Sequence, residues 1–197
     1  MSGLLIAFEG LDQSGKQTQA EMLRDRLRQD GHKSRLVSFP DYATSIGEEL
    51  ARALAGERDY GADVMQLLYI ANRYERKRDL HRWLEGGLIL VSDRYTASSI
   101  AYGEAFDLDG AWLIEMQKYL PPPALTIFLD INPETAVQRK SAGRDRYERD
   151  LALQKRVRES YKRLGTGQNW VVLDGERPKD EIAADVFSAV TSRLSLP

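Results

Sequence analysis

Cysteine is absent from the 197-residue sequence. Disulfides, thiolate metal sites and cysteine nucleophiles are therefore excluded. Histidine is scarce: His32 and His81 stand apart, belong to no carboxylate pattern, and are expected as ordinary surface residues. There is no excess of positive charge, since 28 Lys and Arg face 30 Asp and Glu for a net −2. A nucleic-acid or membrane-surface protein would carry a basic excess, so neither partner is expected. No apolar stretch is long enough to cross a bilayer. The start of the chain, Met1-Ser2-Gly3, leads straight into a strand without a basic and apolar leader, so the expected location is the cytoplasm. Repeats, low-complexity tracts and dividing linkers are also missing. The length suits one domain with a sizeable core, residues 1–197.

What is present is alternation. Short apolar runs at Leu4 to Ala7, within His32 to Phe39, and at Leu88 to Val91, Thr126 to Leu129 and Trp170 to Leu173 predict five buried strands. Helical spacing predicts helices from Ala20, over Ile46 to Leu54, over one long stretch from Asp63 to Leu84, and over Ser98 to Glu104, Gly110 to Tyr119 and Pro133 to Lys140. Leu153, Val157, Tyr161 and Leu164 share one further helical face, and Ile182, Val186, Val190 and Leu194 stripe the last helix. Trp83, Trp112 and Trp170 read as packing residues. Continuous apolar strands alternating with helices predict an α/β fold, a parallel sheet covered on both faces. Ligands of such sheets bind beyond the carboxyl ends of the strands. Asp12 to Lys16, Phe39 to Asp41, and Asp93 to Tyr95 all fall at such ends, which argues for one active site.

The stretch Phe8-Glu9-Gly10-Leu11-Asp12-Gln13-Ser14-Gly15-Lys16-Gln17-Thr18-Gln19 joins the first strand to the first helix. Strand, Gly-rich turn, Lys and helix form the context of a phosphate-binding loop. Gly10 and Gly15 allow the chain to curl, because Gly accepts positive φ. The curled N–H groups and the positive helix start face an anion. Lys16 adds a mobile charge for the terminal phosphates of a nucleotide. A plain turn with a solvated Lys is the bland rival, and the agreement of spacing and flanks outweighs it. The hydroxyl residue that follows this Lys in such loops, and helps to hold Mg²⁺, is missing. Gln17 stands there and Thr18 comes one later. The Gln17 amide oxygen is the candidate replacement as a metal ligand, directly or through water.

Asp93-Arg94 closes a strand on the same edge. Asp93 suits Mg²⁺ or its waters, and the planar fork of Arg94 suits a phosphate; beside a phosphate loop this outweighs a helix-start Asp and a surface Arg. Arg139, Lys140, Arg144, Arg146 and Arg149 crowd a Gly-containing loop, with Ser141 to Tyr147 read as mobile. This is either a lid over about 139–150 that neutralises a transferring phosphoryl group, or a solvated helix end. Tyr69 and Arg73 share a helical face and are either core plus surface ion pair or an aromatic platform with an Arg beside it. Phe39 is a second wall or core.

Together the runs FEGLDQSGKQTQ, FPDY at Phe39 to Tyr42, LLYIANRYE at Leu67 to Glu75, DRYTASSIAY at Asp93 to Tyr102 and GRDRYERD at Gly143 to Asp150 resemble the thymidylate kinase family in order and spacing. The resemblance covers nearly the whole chain. It implies a P-loop NTPase-type three-layer fold with a five-stranded parallel sheet, a lid loop and a homodimer built on helices. It implies Mg²⁺-dependent transfer of the γ-phosphoryl of ATP to dTMP, giving dTDP and ADP. By resemblance, Gly10, Leu11, Asp12, Gln13, Ser14, Gly15, Lys16, Gln17 and Thr18 hold ATP, with Lys16 assisting transfer. Asp12 accepts from the dTMP 3′-hydroxyl and Arg94 binds the dTMP phosphate. Tyr69 stacks on thymine with Phe39 nearby, and Arg73 reads a carbonyl. Ser98 and Ser99 lie at the base edge, and Tyr102 and Tyr147 at the sugar. Gln13 with an Arg-rich lid resembles the class that reaches the transferring phosphate from the lid, through Arg144 or Arg146. Tyr42 stands where some relatives carry a basic residue. Two rival readings remain at this point: a kinase for another nucleoside monophosphate, and a nucleotide-binding module of little activity, the latter motivated by Gln17.

Overall fold

A computed structural model describes residues 3–139 and 150–196. Five strands form one parallel sheet: β1 (Leu4–Glu9), β2 (Ser34–Ser38), β3 (Ile89–Asp93), β4 (Leu125–Asp130) and β5 (Trp170–Asp174), in the spatial order β2-β3-β1-β4-β5. Among the described residues the helices are α1 (Lys16–Gln29), α2 (Ser45–Leu54), α3 (Ala62–Glu75), α4 (Lys77–Glu85), α5 (Thr96–Ala105), α6 (Gly110–Glu115), α7 (Pro133–Arg139), α8 (Leu151–Leu164) and α9 (Lys179–Arg193).

Side chains alternate across the strands, as a period of two requires. Ile6 and Phe8 of β1 and Ile127 and Leu129 of β4 face Leu23 and Leu27 of α1 and Ile182, Val186 and Val190 of α9. On the other face, Phe128 packs with Leu50, Met65, Ala101, Val157 and Tyr161 from α2, α3, α5 and α8. Leu5, Ala7 and Leu90 pack there too, against Leu80 of α4, Phe39 and Tyr95. Both faces of the sheet are thus apolar, which is why its strands read as unbroken hydrophobic runs. Truncating any of these fully buried leucines to Ala would cost about 2–5 kcal/mol.

Two expected helices are corrected. The stretch from Asp63 to Leu84 is two helices, broken at Arg76, which is both the last cap of α3 and the first of α4. Its N–H reaches back only to Arg73 O at 3.1 Å. Its side chain is drawn off by Asp41 at 2.6 Å and Asp79 at 3.7 Å. Hydrophobic spacing carries no sign of such a tertiary pull. The helix expected to run from Gly110 to Tyr119 stops at Glu115, and the chain then tightens into turns, with Gln117 N–H to Ile114 O and Leu120 N–H to Gln117 O both at 3.0 Å. His32 and His81 lie half-buried at the surface. Trp83 and Trp170 pack against the core as expected.

Candidate active site

The loop after β1 curls as its glycines allow. Gly10 has φ 142° and Gly15 φ 91°. A Cβ at Gly10 would lie 2.6 Å from the Leu129 carbonyl oxygen, so neither space nor backbone admits another residue. Gln13 also takes a left-handed conformation, φ 63°, the one non-glycine in the loop to do so. Gly15 begins α1 and no side chain caps the helix, so its first N–H groups stay directed at the loop's concave side. Lys16 is folded back across this concavity: its Nζ donates to Leu11 O at 2.6 Å and reaches Ser14 Oγ at 3.5 Å. Burial lowers the Lys16 pKa, and the nearby Arg94 charge adds to it; Asp12, Asp93 and Glu9 oppose them, leaving it at about 8. Gln17 and Thr18 face solvent on the first turn of α1, and the Gln17 amide donates to Glu21 at 3.0 Å.

The end of β3 meets this loop. Arg94 has φ 62°, and its N–H donates to Phe8 O at 2.9 Å. Its Nη2 donates to Asp12 Oδ1 at 2.5 Å and its Nη1 to Gly10 O and Ser98 Oγ, each at 3.1 Å. The Tyr102 hydroxyl donates to the other Asp12 oxygen at 3.1 Å. Burial would raise the Asp12 pKa, but Arg94, Lys16 and Tyr102 outweigh it and hold the carboxylate at about 2. Asp93 Oδ1 is buried and takes no hydrogen bond from the described residues. That unpaired acceptor, beside a lysine and at the foot of a phosphate loop, fits a hydrated divalent cation. Among the described residues no group of three or more His, Asp or Glu side chains forms a metal cage.

Next to the Asp12–Arg94 pair opens a cleft of about 580 Å³, part of it solvent. Phe39, Tyr69, Arg73, Ser98, Ser99 and Tyr102 line it, so six residues from three separate stretches meet there. Phe39 is buried and Tyr69 half-buried. Arg73 is no surface residue: it is 2% exposed, and its Nη1 donates to Ser99 Oγ at 2.8 Å, Gln117 Oε1 at 3.3 Å and Tyr69 O at 3.3 Å. Burial lowers its pKa, but a guanidinium stays charged. Tyr42 lines the same cleft and is largely exposed.

Several supports were not singled out from the sequence. Glu9 is fully buried and accepts from Tyr95 N–H at 2.9 Å, Ser98 N–H at 3.2 Å, Ser98 Oγ at 2.6 Å and the Tyr161 hydroxyl at 2.9 Å. It thereby fixes the turn that carries Arg94. Asn72 joins α3 to the loop after β2, accepting from Asp41 N–H at 2.7 Å and donating to Asp41 O at 3.1 Å. A charged residue inside an otherwise apolar strand was the visible sign of Glu9; Tyr161 and Gln117 gave none, being long-range partners. Arg139 Nη1 donates to Gln13 O at 3.1 Å and Nη2 to Gly175 O at 2.9 Å, so the start of the expected lid touches the phosphate loop. Arg144, Arg146 and Tyr147 lie outside the described residues.

A phosphate loop, an arginine bridging it to a half-open aromatic cleft, and a parallel sheet in this order make a nucleotide kinase fold. The family model for thymidylate kinase matches residues 8–186. The chain belongs to the thymidylate kinase family. As a member it is a phosphotransferase of the nucleoside monophosphate kinase type. It is 33% identical to a thymidylate kinase of Schizosaccharomyces pombe, over 96% of this chain and 92% of that one. It is 34% identical to the human thymidylate kinase, over 93% of this chain and 88% of the relative. The structure is similar to that of a Candida albicans thymidylate kinase, described for its broad substrate specificity: TM-score 0.84, 28% identity, 97% of this chain and 92% of that one covered. Among the described residues no helix is long and apolar enough to cross a membrane.

Proposed function

We propose that this chain carries out the family's reaction, transfer of the γ-phosphoryl of ATP to dTMP, with the residues assembled at the ends of β1 and β3. The observation that carries this reading is the Asp12–Arg94 pair. It joins the loop built to hold phosphates to the cleft built to hold a planar base. A donor nucleotide on the loop and an acceptor in the cleft would meet there.

In this reading Lys16 and the loop N–H groups hold the ATP phosphates, and Arg94 releases Asp12 to take the acceptor phosphate. Asp12, held ionised, then accepts from the sugar 3′-hydroxyl beside Tyr102. Phe39 and Tyr69 flank the thymine and Arg73 donates to its carbonyl; Ser98 and Ser99 set those arginines. Phosphoryl transfer demands alignment and neutralised charge more than covalent chemistry, and buried cations in fixed hydrogen bonds supply both. Mg²⁺ would be held through Asp93, with Gln17 as a second candidate, and would neutralise phosphate charge when bound. Gln17 is the weaker candidate because its side chain is exposed and its amide nitrogen is tied to Glu21 one turn further along α1. The lid arginines Arg144 and Arg146 would close over the transferring group and exclude water. Residues 1–197 are read as one kinase domain, acting in the cytoplasm, where both nucleotides are drawn from a dissolved pool.

A homodimer is part of the reading. Val64 and Leu67 of α3 and Ile114, Met116 and Tyr119 around α6 are large, apolar and exposed. The Tyr74 hydroxyl donates to Met116 O at 3.0 Å, so the two exposed stretches are neighbours. Leu67→Glu is expected to turn a dimer into a monomer in sedimentation; an unchanged mass would move the interface elsewhere.

The direct test of the reaction is ADP release from Mg-ATP against dTMP, dUMP, UMP, CMP, AMP and GMP. Selective release with dTMP is expected. Release with another acceptor would keep the phosphate site and overturn the base pocket. ATP binding without release for any acceptor would favour a binding module.

A further inference from the structure

The cleft contains one buried polar residue to which no role has been given. Gln66 lies on α3, one turn before Tyr69 and two turns before Arg73, so the three share a face. It lines the cleft and is 2% exposed. Among the described residues no group donates to its Oε1, which is buried. A buried amide oxygen without a partner is costly, and native proteins rarely leave one so. Arg73 Nε, in the same cleft, is likewise buried and unpaired. The cleft therefore holds one unused donor and one unused acceptor.

Their placement matches a base edge. Arg73 is tied to Ser99 of α5 at 2.8 Å. A Cβ on Gly103, one turn further along α5, would lie 3.5 Å from Gln66 Cγ. Arg73 and Gln66 thus sit at two successive positions along the seam between α3 and α5, with Tyr69 between them. A thymine stacked on Tyr69 would present its polar edge to that seam. Along it run a carbonyl acceptor, the N3–H donor and a second carbonyl. In a nucleotide N1 is glycosylated, so N3–H is the only N–H that thymine has. An unpaired acceptor in a thymine pocket has that one base proton to take.

We propose that Gln66 reads the thymine base, its Oε1 accepting from N3–H while Arg73 donates to the adjacent carbonyl. This rests on the dTMP reading above and extends it to a specificity-determining residue. The pairing explains why cytosine would be refused. Its amino group would face the Arg73 donors, and although a Gln amide can turn end for end, a guanidinium fixed by Ser99 and Gln117 cannot become an acceptor. A site that hydrogen-bonds a substrate N–H rejects the analogue lacking it more strongly than an apolar pocket rejects a missing methyl.

The probe is 3-methylthymidine 5′-monophosphate, which replaces N3–H by N–CH3 and keeps both carbonyls as acceptors. Wild-type protein is expected to bind dTMP roughly tenfold or more tightly than this analogue by calorimetry. Gln66→Met, close in size and unable to accept in that way, is expected to bring the ratio to about one, with ATP affinity unchanged. A ratio that persists in Gln66→Met would overturn the proposal and point to Ser99 or a bound water. A wild-type ratio near one would overturn it as well. Should Gln66→Met not fold, NMR on wild-type protein with ¹⁵N3-labelled dTMP decides: a coupling across the hydrogen bond from N3 to Gln66 Cδ is expected, and its absence contradicts the pairing. Wild-type protein that binds ATP but no dTMP would remove the acceptor reading itself, an outcome distinct from binding both pyrimidines equally.

Discussion

The phosphate loop and the acceptor cleft are built in opposite ways. The loop is contiguous, spans Gly10 to Thr18, and works through backbone N–H groups and one lysine. The cleft is assembled from β2's end, α2, α3 and α5, and works through side chains that hold one another. A backbone site depends on a few positions where only one φ is tolerable. A side-chain site depends on second partners, such as Gln117 behind Arg73 and Glu9 behind Ser98, whose loss is felt at a distance. Donor binding is therefore expected to be robust to most substitutions outside the loop, and acceptor binding to be sensitive to residues that never touch the acceptor.

Arg94 belongs to both regions, so Arg94→Ala should give the largest effect, a loss of kcat of about 10²–10³-fold, with the fold intact by circular dichroism. A loss confined to the KM of one nucleotide would break the claim that it bridges them. Lys16→Ala should approach that loss in kcat/KM for ATP while leaving dTMP affinity nearly unchanged. Tyr69→Ala should do the reverse, weakening dTMP roughly tenfold or more through lost stacking; equal weakening for ATP would mark Tyr69 as a core residue. Gln117→Ala, far from the donor, should raise the KM for dTMP several-fold, of the order of one lost hydrogen bond to a charged group, and leave the KM for ATP alone.

The smallest effect expected is in pH dependence. The Lys16 pKa lies at about 8 in the free protein, so its charge is present below that pH and lost above it. The kcat/KM for ATP should be level near pH 7 and fall above about pH 8. Bound phosphates favour the ammonium form, so kcat at saturating ATP should stay level over the same range. Asp12, held down to about 2, should add no acid limb above about pH 4. A fall in kcat itself near pH 8 would mean that the phosphates do not surround Lys16.

The same contrast decides what could be read from the chain alone. The loop, the five strands and their parallel arrangement follow from local spacing, because Gly10, Gly15 and Lys16 act where they stand and apolar runs bury where they stand; the spatial order β2-β3-β1-β4-β5 came from the structure. Spacing offered Phe39, Tyr69 and Arg73 as cleft walls only as one of two alternatives, and the ordered motifs of a family resemblance chose between them. The break at Arg76 escaped, since it follows from a pull by Asp41, distant in the chain. Tyr161 and Gln117 escaped for the same reason: their partners, Glu9 and Arg73, lie 152 and 44 residues away. The left-handed turn at Gln13 escaped because a non-glycine gives no sign of positive φ.

The central claim is that loop and cleft are two halves of one transfer site joined at Asp12 and Arg94. The most direct measurement is calorimetric binding of an adenosine–thymidine bisubstrate linked 5′ to 5′ by five phosphates. One molecule per chain should bind, about 10²-fold or more tightly than either mononucleotide, and saturating ATP or saturating dTMP should each displace it. Affinity no better than ATP alone, with no competition by dTMP, would mean that the cleft beside Arg94 is not the acceptor site.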